Sequence, residues 1–360
     1  MQICICRVRV EYVKLEEICT IVSGGTPSRS KSDYWNNGNI PWIKIKDMKS
    51  KYIDSAEEFI TEEGLNNSST KMLKSDTILY SIFATLGEVG ILKIDACTNQ
   101  AIAGLSLKED SNILKEYLYY YLKSKKKDVN NLGRGVAQNN INLSLLRKFR
   151  IPVIPLHQQK KIIEVLDNVS STINNYEREL ALLDELVKAR FVEMFGEIED
   201  CDKWESKIWN EVVTIKNGRD YKKVLVSDGG YPVVGTGGEI ARASKYLCPE
   251  NTIVVGRKGS INNPMLMKEK FWNVDTAFGV IPNSDYLHYQ YFYCFCKFYN
   301  FMKLNKATTL PSTTKADLLK IRINIPPLEL QNQFASFVQE IDKSRLLNNH
   351  SLLLLKSITF

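Results

Sequence analysis

Long apolar runs are absent from this sequence. The longest uninterrupted aliphatic stretch is Leu352–Leu355, whereas a transmembrane helix needs about 20 predominantly apolar residues. The N-terminus carries Arg7, Arg9 and Glu11 where a secretory signal peptide would need its apolar segment. The sequence therefore predicts a protein that neither spans a membrane nor is secreted, and a cytoplasmic location.

Motifs for metal, redox and nucleotide chemistry are also missing. The chain has three histidines, and none stands near a cysteine pair at zinc-binding spacing. The patterns CxxC, GxxxxGK[ST] and GxGxxG after a strand do not occur. These absences predict a chain without catalytic residues, metal or cofactor. The eight cysteines, predicted to be reduced thiols, are Cys4, Cys6, Cys19, Cys97, Cys201, Cys248, Cys294 and Cys296.

Basic residues are only slightly in excess. Against 48 Lys and Arg stand 41 Asp and Glu, so the formal net charge is +7. This balance allows a nucleic-acid partner without demanding one. The chain is 360 residues long with 44% hydrophobic residues, which predicts two domains that each bury a core.

An internal repeat is the most informative feature that is present. Residues 145–169 match residues 317–341 without a gap, so that Gln159 corresponds to Gln331 and Pro155 to Pro327. Shorter matches follow in the same order upstream. The chain is therefore predicted to contain two copies of one unit, each with a globular part, a proline-marked strand and a helix.

The globular parts have the pattern of mixed α/β domains. Short β-branched or aromatic runs at 20–25, 41–45 and 77–83 are bounded by Gly, Pro and Asp, which is typical of strands. The segments 111–127 and 285–302 are predicted helices at matching places. The prolines of IPVIP and INIPP favour extended strands. The residues Tyr34, Trp35 and Trp42 are predicted to pack in the core.

The helix after the first proline strand carries a heptad seam. Its apolar residues recur in alternating steps of four and three, which is typical of a coiled coil. Pro155 is predicted to lie in its first turn and Phe195–Gly196 at its end. The seam residues are Ile162, Leu166, Val169, Ile173, Tyr176, Leu180, Leu183, Val187 and Met194.

The second helix repeats this seam less cleanly. Arg345 and Asn348 interrupt it, and the chain ends at a position that corresponds to Lys188, so this helix is shorter. Antiparallel packing of the two helices would bury both seams and give a pseudo-two-fold arrangement. The alternative is that each helix merely caps its own domain. The seam residues of the second helix are Phe334, Val338, Ile341, Arg345, Asn348, Leu352 and Leu355.

Four segments together resemble the DNA specificity subunit of Type I restriction–modification systems. They are KLEEICTIVSGGTPSRSKSDYWNNGNIPWIKIKDM, IPVIPLHQQKKIIEVLDNV, NTIVVGRKGS and INIPPLELQNQFASFVQEID. The opening GGTPS and IPW and the two IP.PL..Q junctions are specific in combination. The resemblance extends from about residue 12 to about residue 355 and covers nearly the whole chain.

The resemblance implies a fold of two mixed α/β target-recognition domains separated by two long antiparallel coiled-coil helices. The implied division places recognition domains at 1–154 and 201–326, and spacer helices at 155–200 and 327–360. Each domain would read one half of a split, asymmetric site in double-stranded DNA. The helices would set the spacing, because the first seam spans 32 residues, or roughly 48 Å, against the ~34 Å between successive major grooves on one face of DNA.

The resemblance also implies partners. Two methyltransferase subunits would dock on the helices and carry S-adenosylmethionine, with a translocating endonuclease subunit as a further partner. The chain itself lacks the methyltransferase tetrad, since Asn262–Met265 does not match it. Open alternatives are a methyltransferase-only or related bipartite system, a stand-alone nuclease or methyltransferase, and a repeat scaffold that binds no DNA. The shortened helix leaves open an inactive copy or a partner that completes the bundle.

Candidate DNA contacts are the basic and amide side chains of loops. Arginine can bind guanine bidentately, and asparagine or glutamine can pair with adenine, while lysine binds phosphate. In the first unit the candidates are Lys44, Lys46 and, in the predicted loop 130–144, Arg134, Gln138, Asn139 and Asn140. In the second unit they are Arg219, Lys222, Lys223, Arg257, Lys258, Thr308, Thr309 and Lys315.

Overall fold

The computed structural model describes residues 10–133, 140–198, 203–307 and 309–359. Its internal contacts divide the chain into two compact units. Unit 1 comprises Met1–Asn174 with Leu353–Phe360, and unit 2 comprises Asn175–Leu352. Within the described ranges, none of the helices combines the length and the apolar character that a membrane span requires.

Unit 1 is built on two β-sheets and a two-stranded ribbon. Its strands are β1 Glu11–Lys14, β2 Cys19–Ser23, β3 Ile40–Ile43, β4 Tyr52–Ile53, β5 Glu58–Ile60, β6 Ile78–Ser81, β7 Val89–Leu92, β8 Cys97–Thr98, β9 Ile102–Leu107 and β10 Arg150–Val153. Its helices are α1 Leu15–Ile18, α2 Glu62–Asn66, α3 Lys115–Ser124, α4 Lys126–Gly133 and α5 Leu143–Arg147, followed by α6 Leu156–Phe195, which continues into unit 2.

The sheets of unit 1 have the strand orders β2-β9-β6-β7-β4 and β5-β3-β8. All pairs are antiparallel except β4 with β7 and β3 with β8. Strands β1 and β10 form the ribbon that leads into α6. The main core lies between the five-stranded sheet and α3, and Ile163 and Leu166 of α6 pack against it.

Unit 2 is likewise built on two β-sheets and a two-stranded ribbon. Its strands are β11 Ser206–Ile208, β12 Val213–Asn217, β13 Leu225–Val226, β14 Tyr231–Gly235, β15 Gly238–Ala243, β16 Thr252–Gly256, β17 Met265–Met267, β18 Trp272–Asn273, β19 Ala277–Pro282 and β20 Arg322–Asn324. Its helices are α7 Trp209–Val212, α8 Tyr289–Phe298 and α9 Lys315–Leu318, followed by α10 Leu328–Thr359, which continues into unit 1 after Leu352.

The sheets of unit 2 have the orders β12-β19-β16-β17 and β13-β15-β14-β18, and β11 pairs with β20 as the ribbon. The core gathers aromatic side chains from α6, α8 and α10. Phe191 stacks on Tyr291 at a centroid distance of 5.4 Å, and Phe195 meets Phe334 at 5.4 Å. The predicted mixed α/β class with two long helices is confirmed.

The hydrogen bonds of the two matched glutamines repeat from one unit to the other. Gln159 is fully buried and accepts from the Leu114 amide, while its amide nitrogen donates to the carbonyls of Asn112 and Ile154, all at 2.8 Å. A buried glutamine with three backbone partners anchors the start of α6 to the globular part of unit 1.

Gln331 does the same in unit 2. It accepts from the His288 amide at 2.8 Å and donates to the carbonyls of Tyr286 and Pro326 at 2.9 and 2.8 Å. Its side chain is fully buried as well. The two glutamines therefore fix how each long helix leaves the domain that precedes it.

The predicted seam of α6 is its least exposed stripe. Leu166, Val169, Ile173, Tyr176, Leu180 and Leu183 are half-buried and Val187 is buried, whereas Ile162 is 38% exposed. The helix ends at Phe195, and Gly196 has a φ of +88°, the left-handed conformation common after helix ends. The heptad prediction is confirmed over this stretch. Pro155 precedes the first helical residue, one position earlier than expected.

The seam of α10 is confirmed in the same way. Phe334, Val338 and Leu352 are buried, and Ile341, Arg345, Asn348 and Leu355 are half-buried. The two polar seam residues contact α6 within unit 2. Arg345 donates to the Asp184 carboxylate at 2.6 Å and to the Leu183 carbonyl at 3.2 Å. Asn348 donates to Glu179 at 3.1 Å, so the helices run antiparallel here.

Some predicted boundaries are wrong. The predicted loop 130–144 begins inside α4, which continues to Gly133, and ends inside α5, which begins at Leu143. The predicted helix 111–127 is two helices, because α3 ends at Ser124 and α4 starts at Lys126. The predicted strand 77–83 ends at Ser81, where a tight turn takes over. Periodicity alone does not place such turns.

Candidate nucleic-acid interface

Unit 2 has a cationic recess where four of its chain segments meet, namely β12, the turn after β16, β19 and residues 312–315. Its basic side chains are Arg257, Lys258 and Lys315, all three predicted DNA contacts. The recess has a volume of about 350 Å³. Its full lining is Asn217, Arg257, Lys258, Phe278, Ser312, Thr313, Thr314 and Lys315.

Backbone contacts hold the walls of this recess together. The Thr313 amide donates to the Arg257 carbonyl at 3.0 Å, and the Gly259 amide donates to Pro311 at 2.9 Å. The buried Thr313 hydroxyl donates to the Gly256 carbonyl at 2.9 Å. Because both loops are pinned in this way, Arg257 and Lys258 are presented from a fixed backbone.

The cations of the recess differ in how much of their donor capacity is in use. Arg257 is exposed and donates one long bond of 3.3 Å to the Asp275 carbonyl. Lys315 donates to the Ile215 carbonyl at 3.0 Å, and Thr314 caps its helix by accepting from the Asp317 amide at 3.1 Å. An exposed arginine on a pinned loop retains donors that could bind guanine or phosphate.

Asp317 lies on the same short helix as Lys315, and its negative charge is paired with Lys306. Lys306 contacts its carboxylate at 2.9 Å, and the Thr314 hydroxyl donates to it at 2.8 Å. The hydrogen bond from Lys306 lowers the pKa of Asp317. The lining of the recess therefore keeps its net positive charge. Thr309 is exposed close by in the chain, and Thr308 lies outside the described residues.

A second basic turn in unit 2 carries Arg219, Lys222 and Lys223, which are all exposed. The Arg219 amide donates to the Asn273 carbonyl at 3.0 Å, and the Arg219 carbonyl accepts from the Trp272 indole at 2.9 Å. Lys222 and Lys223 follow in a short 3-10 turn. The backbone of this turn is thus anchored while its charged side chains face solvent.

Unit 1 has apolar residues at the positions that correspond to the cations of the recess. The Ile82 amide donates to the Ala101 carbonyl at 2.8 Å, just as the Arg257 amide donates to the Thr276 carbonyl. The Ile141 amide donates to the Ile82 carbonyl at 2.9 Å, just as the Thr313 amide donates to the Arg257 carbonyl. Asn140 bridges to Phe83 just as Ser312 bridges to Lys258.

This pattern assigns two replacements between the units, and a third follows because Leu143 and Lys315 are the first residues of corresponding helices, α5 and α9. In unit 1, Ile82 occupies the position that Arg257 has in unit 2. Phe83 likewise corresponds to Lys258, and Leu143 to Lys315. Each cation of the recess is thus an apolar residue in unit 1, and Phe83 is 47% exposed.

The predicted contacts Lys44 and Lys46 are held by carboxylates within unit 1. Lys44 pairs with Glu58 and Lys46 with Glu57. Burial raises the pKa of Glu58, but hydrogen bonds from Lys44 and Arg29 outweigh it, so that the pKa is lowered. The hydrogen bond that Lys46 donates to Glu57 raises the pKa of Lys46. Lys46 is exposed, whereas the Lys44 side chain is only 17% exposed.

Of the remaining predicted contacts in unit 1, Asn140 is exposed and lies beside Phe83. The predicted contacts Arg134, Gln138 and Asn139 lie outside the described residues.

The sequence prediction missed the arginine that lies over the tryptophans of unit 1. The Arg29 guanidinium lies 3.6 Å from the Trp35 ring centroid and also pairs with Glu58. Trp42 is 2% exposed, as predicted for a core residue, and donates its indole hydrogen to Gly25 at 3.0 Å. The aromatic cluster YW…IPW and a nearby arginine were the available signal.

Cysteines contribute no reactive group to these surfaces among the described residues. Burial raises the pKa of Cys19, Cys248 and Cys294 to about 12 and that of Cys97 to about 11. All five described cysteines are free and buried. The predicted reduced core thiols are confirmed for these positions, and Cys4, Cys6 and Cys201 lie outside the described residues.

Comparison with known proteins gives the family. The family model for the "Type I restriction modification DNA specificity domain" matches residues 7–184 and again residues 201–356. The chain belongs to this family. The double match coincides with the two copies found in the sequence, so both halves carry the same family domain.

Individual relatives agree with this membership. The chain is 35% identical over 172 residues to the Type I restriction enzyme EcoR124I/EcoR124II specificity subunit of Escherichia coli, covering 46% of this chain and 42% of that protein. It is 24% identical to the MjaIX specificity subunit of Methanocaldococcus jannaschii, covering 96% of this chain and 89% of that protein. The chain thus spans less than half of the first relative and most of the second.

Solved structures share the fold. The S subunit of a Type I restriction–modification system from M. genitalium superposes with a TM-score of 0.59 at 16% identity, over 98% of this chain and 95% of that one. A structure from a study of complex assembly and conformational transition in a Type I system gives the same TM-score over 97% of this chain and 95% of that one. The specificity-subunit fold therefore extends over nearly the whole chain.

Proposed function

We propose that this protein is the DNA-recognition subunit of a Type I restriction–modification complex. Its recognition domains, at 1–154 and 201–326, each read one half of a split, asymmetric site in double-stranded DNA. The helical segments 155–200 and 327–360 set the number of unread base pairs between the halves. Sequence is read by side chains at base edges, and phosphate contacts fix the register.

The observation that carries this proposal is the difference between equivalent loops on a common framework. The backbone bonds around Arg257 in unit 2 recur around Ile82 in unit 1, while the exposed side chain at the next position is a cation in unit 2, Lys258, and an aromatic ring in unit 1, Phe83. Two copies of one protein-binding scaffold would have no need of this contrast. A reader of an asymmetric sequence needs two similar domains with different contact residues.

Partner docking is the second part of the proposal. In unit 2, Leu346 and Leu347 of α10 are 72% and 70% exposed, and Leu182 and Leu186 of α6 are 51% and 46% exposed. Exposed apolar side chains on long helices favour burial against another protein. We assign this surface to methyltransferase subunits, two per chain, which bring S-adenosylmethionine and the catalytic residues. A translocating endonuclease would complete a restriction complex.

The test is single-molecule methylome sequencing of cells that express the chain with the methyltransferase encoded beside it. The control is cells that express the methyltransferase alone. A new split motif, methylated on adenine in both half-sites, is the expected result. The purified chain should transfer no methyl group by itself, and methyl transfer by the isolated chain would overturn the non-catalytic role.

A methylome without any new motif would contradict DNA recognition by this chain. Copurification then separates two explanations. A specificity subunit that has lost recognition should still copurify with the methyltransferase through its helices, whereas a scaffold of another system should not.

A further inference from the structure

We propose that Phe83 reads a thymine in the half-site of unit 1 by contact with the thymine methyl group. This inference rests on the proposed function. The structure assigns Phe83 to the loop position where unit 2 carries Lys258, opposite Asn140 in place of Ser312. The two units would then read DNA at equivalent places with an apolar contact in one and a cation in the other.

Phe83 is a large apolar side chain that lies on the surface of unit 1. Its side chain is 47% exposed, although an aromatic ring of this size gains considerable free energy from burial. The two residues that flank the site on the same backbone framework, Ile82 and Ile141, are 7% and 3% exposed. The ring is therefore not part of the core and is available to a partner.

The turn that carries Phe83 is braced on both sides. The Ser81 hydroxyl donates to the Thr85 carbonyl and accepts from the Glu88 amide at 2.7 Å. Glu88 in turn pairs with Lys126 at 2.5 Å at the start of α4. A pinned turn presents its side chain at a small entropic cost when a ligand binds.

The backbone of this turn is also strained. Ala84 has a φ of +62°, whereas Gly87, at a φ of +79°, adopts the left-handed region without steric cost. A non-glycine residue in the left-handed region costs free energy and persists where the surroundings hold it. A β-carbon at Gly87 would lie 3.1 Å from the Lys126 α-carbon, so the turn lies against α4. The strained turn directly follows Phe83 and fixes where the ring is presented.

The chemistry of the site selects thymine among the bases. The major groove offers the thymine 5-methyl group as its one apolar feature, and side chains such as phenylalanine contact it. Asn140, the bridge partner of Phe83, is exposed, and asparagine pairs with adenine. An apolar and an amide side chain next to each other suit a half-site that contains an A·T pair.

The experiment uses the complex of the chain with its methyltransferase and a duplex that carries the methylated motif. Each thymine of the motif is replaced in turn by uracil, which lacks only the methyl group, and affinities are compared by competition. One thymine in one half-site should be sensitive, with affinity falling about three- to fivefold, the value of one buried methyl group. Phe83→Ala should bind more weakly and lose this sensitivity.

Two further variants make the test specific. Tyr12 is as exposed as Phe83, at 48%, but lies on β1 in the ribbon, so Tyr12→Ala should keep the uracil response. Phe83→Lys, which installs the unit 2 residue, should abolish the response and steepen the salt dependence of binding. Matching thermal unfolding of the three variants would establish that each is folded.

Several outcomes would overturn the inference. They are a motif in which no thymine is sensitive, a motif half without thymine, and a uracil effect that persists in Phe83→Ala. Weaker binding by Phe83→Ala with no uracil effect in the parent chain would indicate a wedge between bases instead. Failure of the proposed function looks different, because no sequence would then be preferred over any other.

Discussion

The two units differ most where they are most alike in backbone. At one corner of the framework unit 2 has Arg257, Lys258 and Lys315, and unit 1 has Ile82, Phe83 and Leu143. The backbone hydrogen bonds around the two sets are the same within 0.1 Å at the matched pairs. The same backbone therefore accepts a cation or an apolar side chain at this corner, and at the exposed position of Phe83 and Lys258 this is the property that a changeable reading surface requires.

In the core, by contrast, a tryptophan changes its position in the sequence while its packing and its hydrogen bond are preserved. In unit 1, Trp42 of β3 pairs with Cys97 of β8, and in unit 2, Val233 of β14 pairs with Trp272 of β18. The tryptophan has moved to the other strand of the parallel pair. In both units its indole donates to the carbonyl after a strand, at Gly25 or Arg219. Volume and hydrogen bond are therefore both retained.

Exchanging this tryptophan should have the largest effect on stability. Trp42→Val leaves a cavity and removes the donor to Gly25, and should lower the free energy of unfolding by about 3–5 kcal/mol. Adding Cys97→Trp copies the arrangement of unit 2 and should recover more than half of the loss. Urea denaturation of both variants measures this double-mutant cycle.

Cys97→Trp alone serves as the control, since it should destabilise by overpacking. A double variant that is no more stable than Trp42→Val would break the equivalence of the two strand pairs.

Removal of the buried glutamines should come next in size. Gln159→Ala leaves three backbone groups without their partner, and each such group costs about 1–3 kcal/mol. The unfolding free energy should fall by about 3 kcal/mol. Hydrogen exchange should accelerate at the Leu114 amide but not at the His288 amide, and Gln331→Ala should do the opposite.

Gln158 is exposed and adjacent, so Gln158→Ala is the matched control and should leave both amides protected. Acceleration at both sites in either glutamine variant would mean that the two anchors do not act on separate units.

The cationic corner of unit 2 should govern the salt dependence of DNA binding. Lys258→Ala should reduce the slope of log affinity against log salt by about 0.9, because a lysine–phosphate contact releases one condensed counterion. Arg257→Ala should change the slope less and relax the preference for bases, because its guanidinium is assigned to a base edge. Phe83→Ala should leave that slope unchanged. Titrations of the methyltransferase complex at several salt concentrations measure the slopes.

Lys207 lies on β11, away from the recess lining, so Lys207→Ala provides a charge-matched control. An unchanged slope in Lys258→Ala would exclude phosphate contact by this lysine.

The polar interruption of the second seam should have the smallest effect. Ile173 occupies the corresponding position in α6, whereas Arg345 is bonded to Asp184 and Leu183 within unit 2. Because Arg345 is partly exposed and Lys297 also contacts Asp184 at 2.9 Å, Arg345→Ala should cost only about 1 kcal/mol. The loss should shrink at high salt.

Thermal unfolding at low and high salt measures this, with Lys343→Ala as a control on the outer face of α10. A loss that is insensitive to salt would attribute the effect of Arg345 to packing by its stem rather than to its charge.

The sequence predicts structure best where one spacing of apolar residues repeats over a long segment. The seam from Leu166 to Val187 followed from the spacing alone, and the structure buries that stripe. The match of Gln159 with Gln331 was also visible. Their role was not, because their partners Asn112 and Tyr286 lie over 40 residues upstream and are backbone groups. Backbone partners leave no pattern in the sequence.

Predicting the interface was harder for a similar reason. Residue type marked both Lys44 and Arg257 as DNA contacts, but only the structure pairs Lys44 with Glu58 and leaves Arg257 exposed. Phe83 was assigned to a strand by its apolar neighbours, and a strained turn at Ala84 places it on the surface instead. Charge and exposure at a loop depend on contacts that are distant in sequence.

The most direct test of independent half-site reading is a methylome comparison of the parent chain with the double variant Arg257→Ala, Lys258→Ala, each expressed with the methyltransferase. One half-site of the motif should become relaxed or change its bases. The other half-site and the number of unread base pairs should stay the same. A variant that alters both half-sites, or the spacing, would contradict two independent readers on one framework.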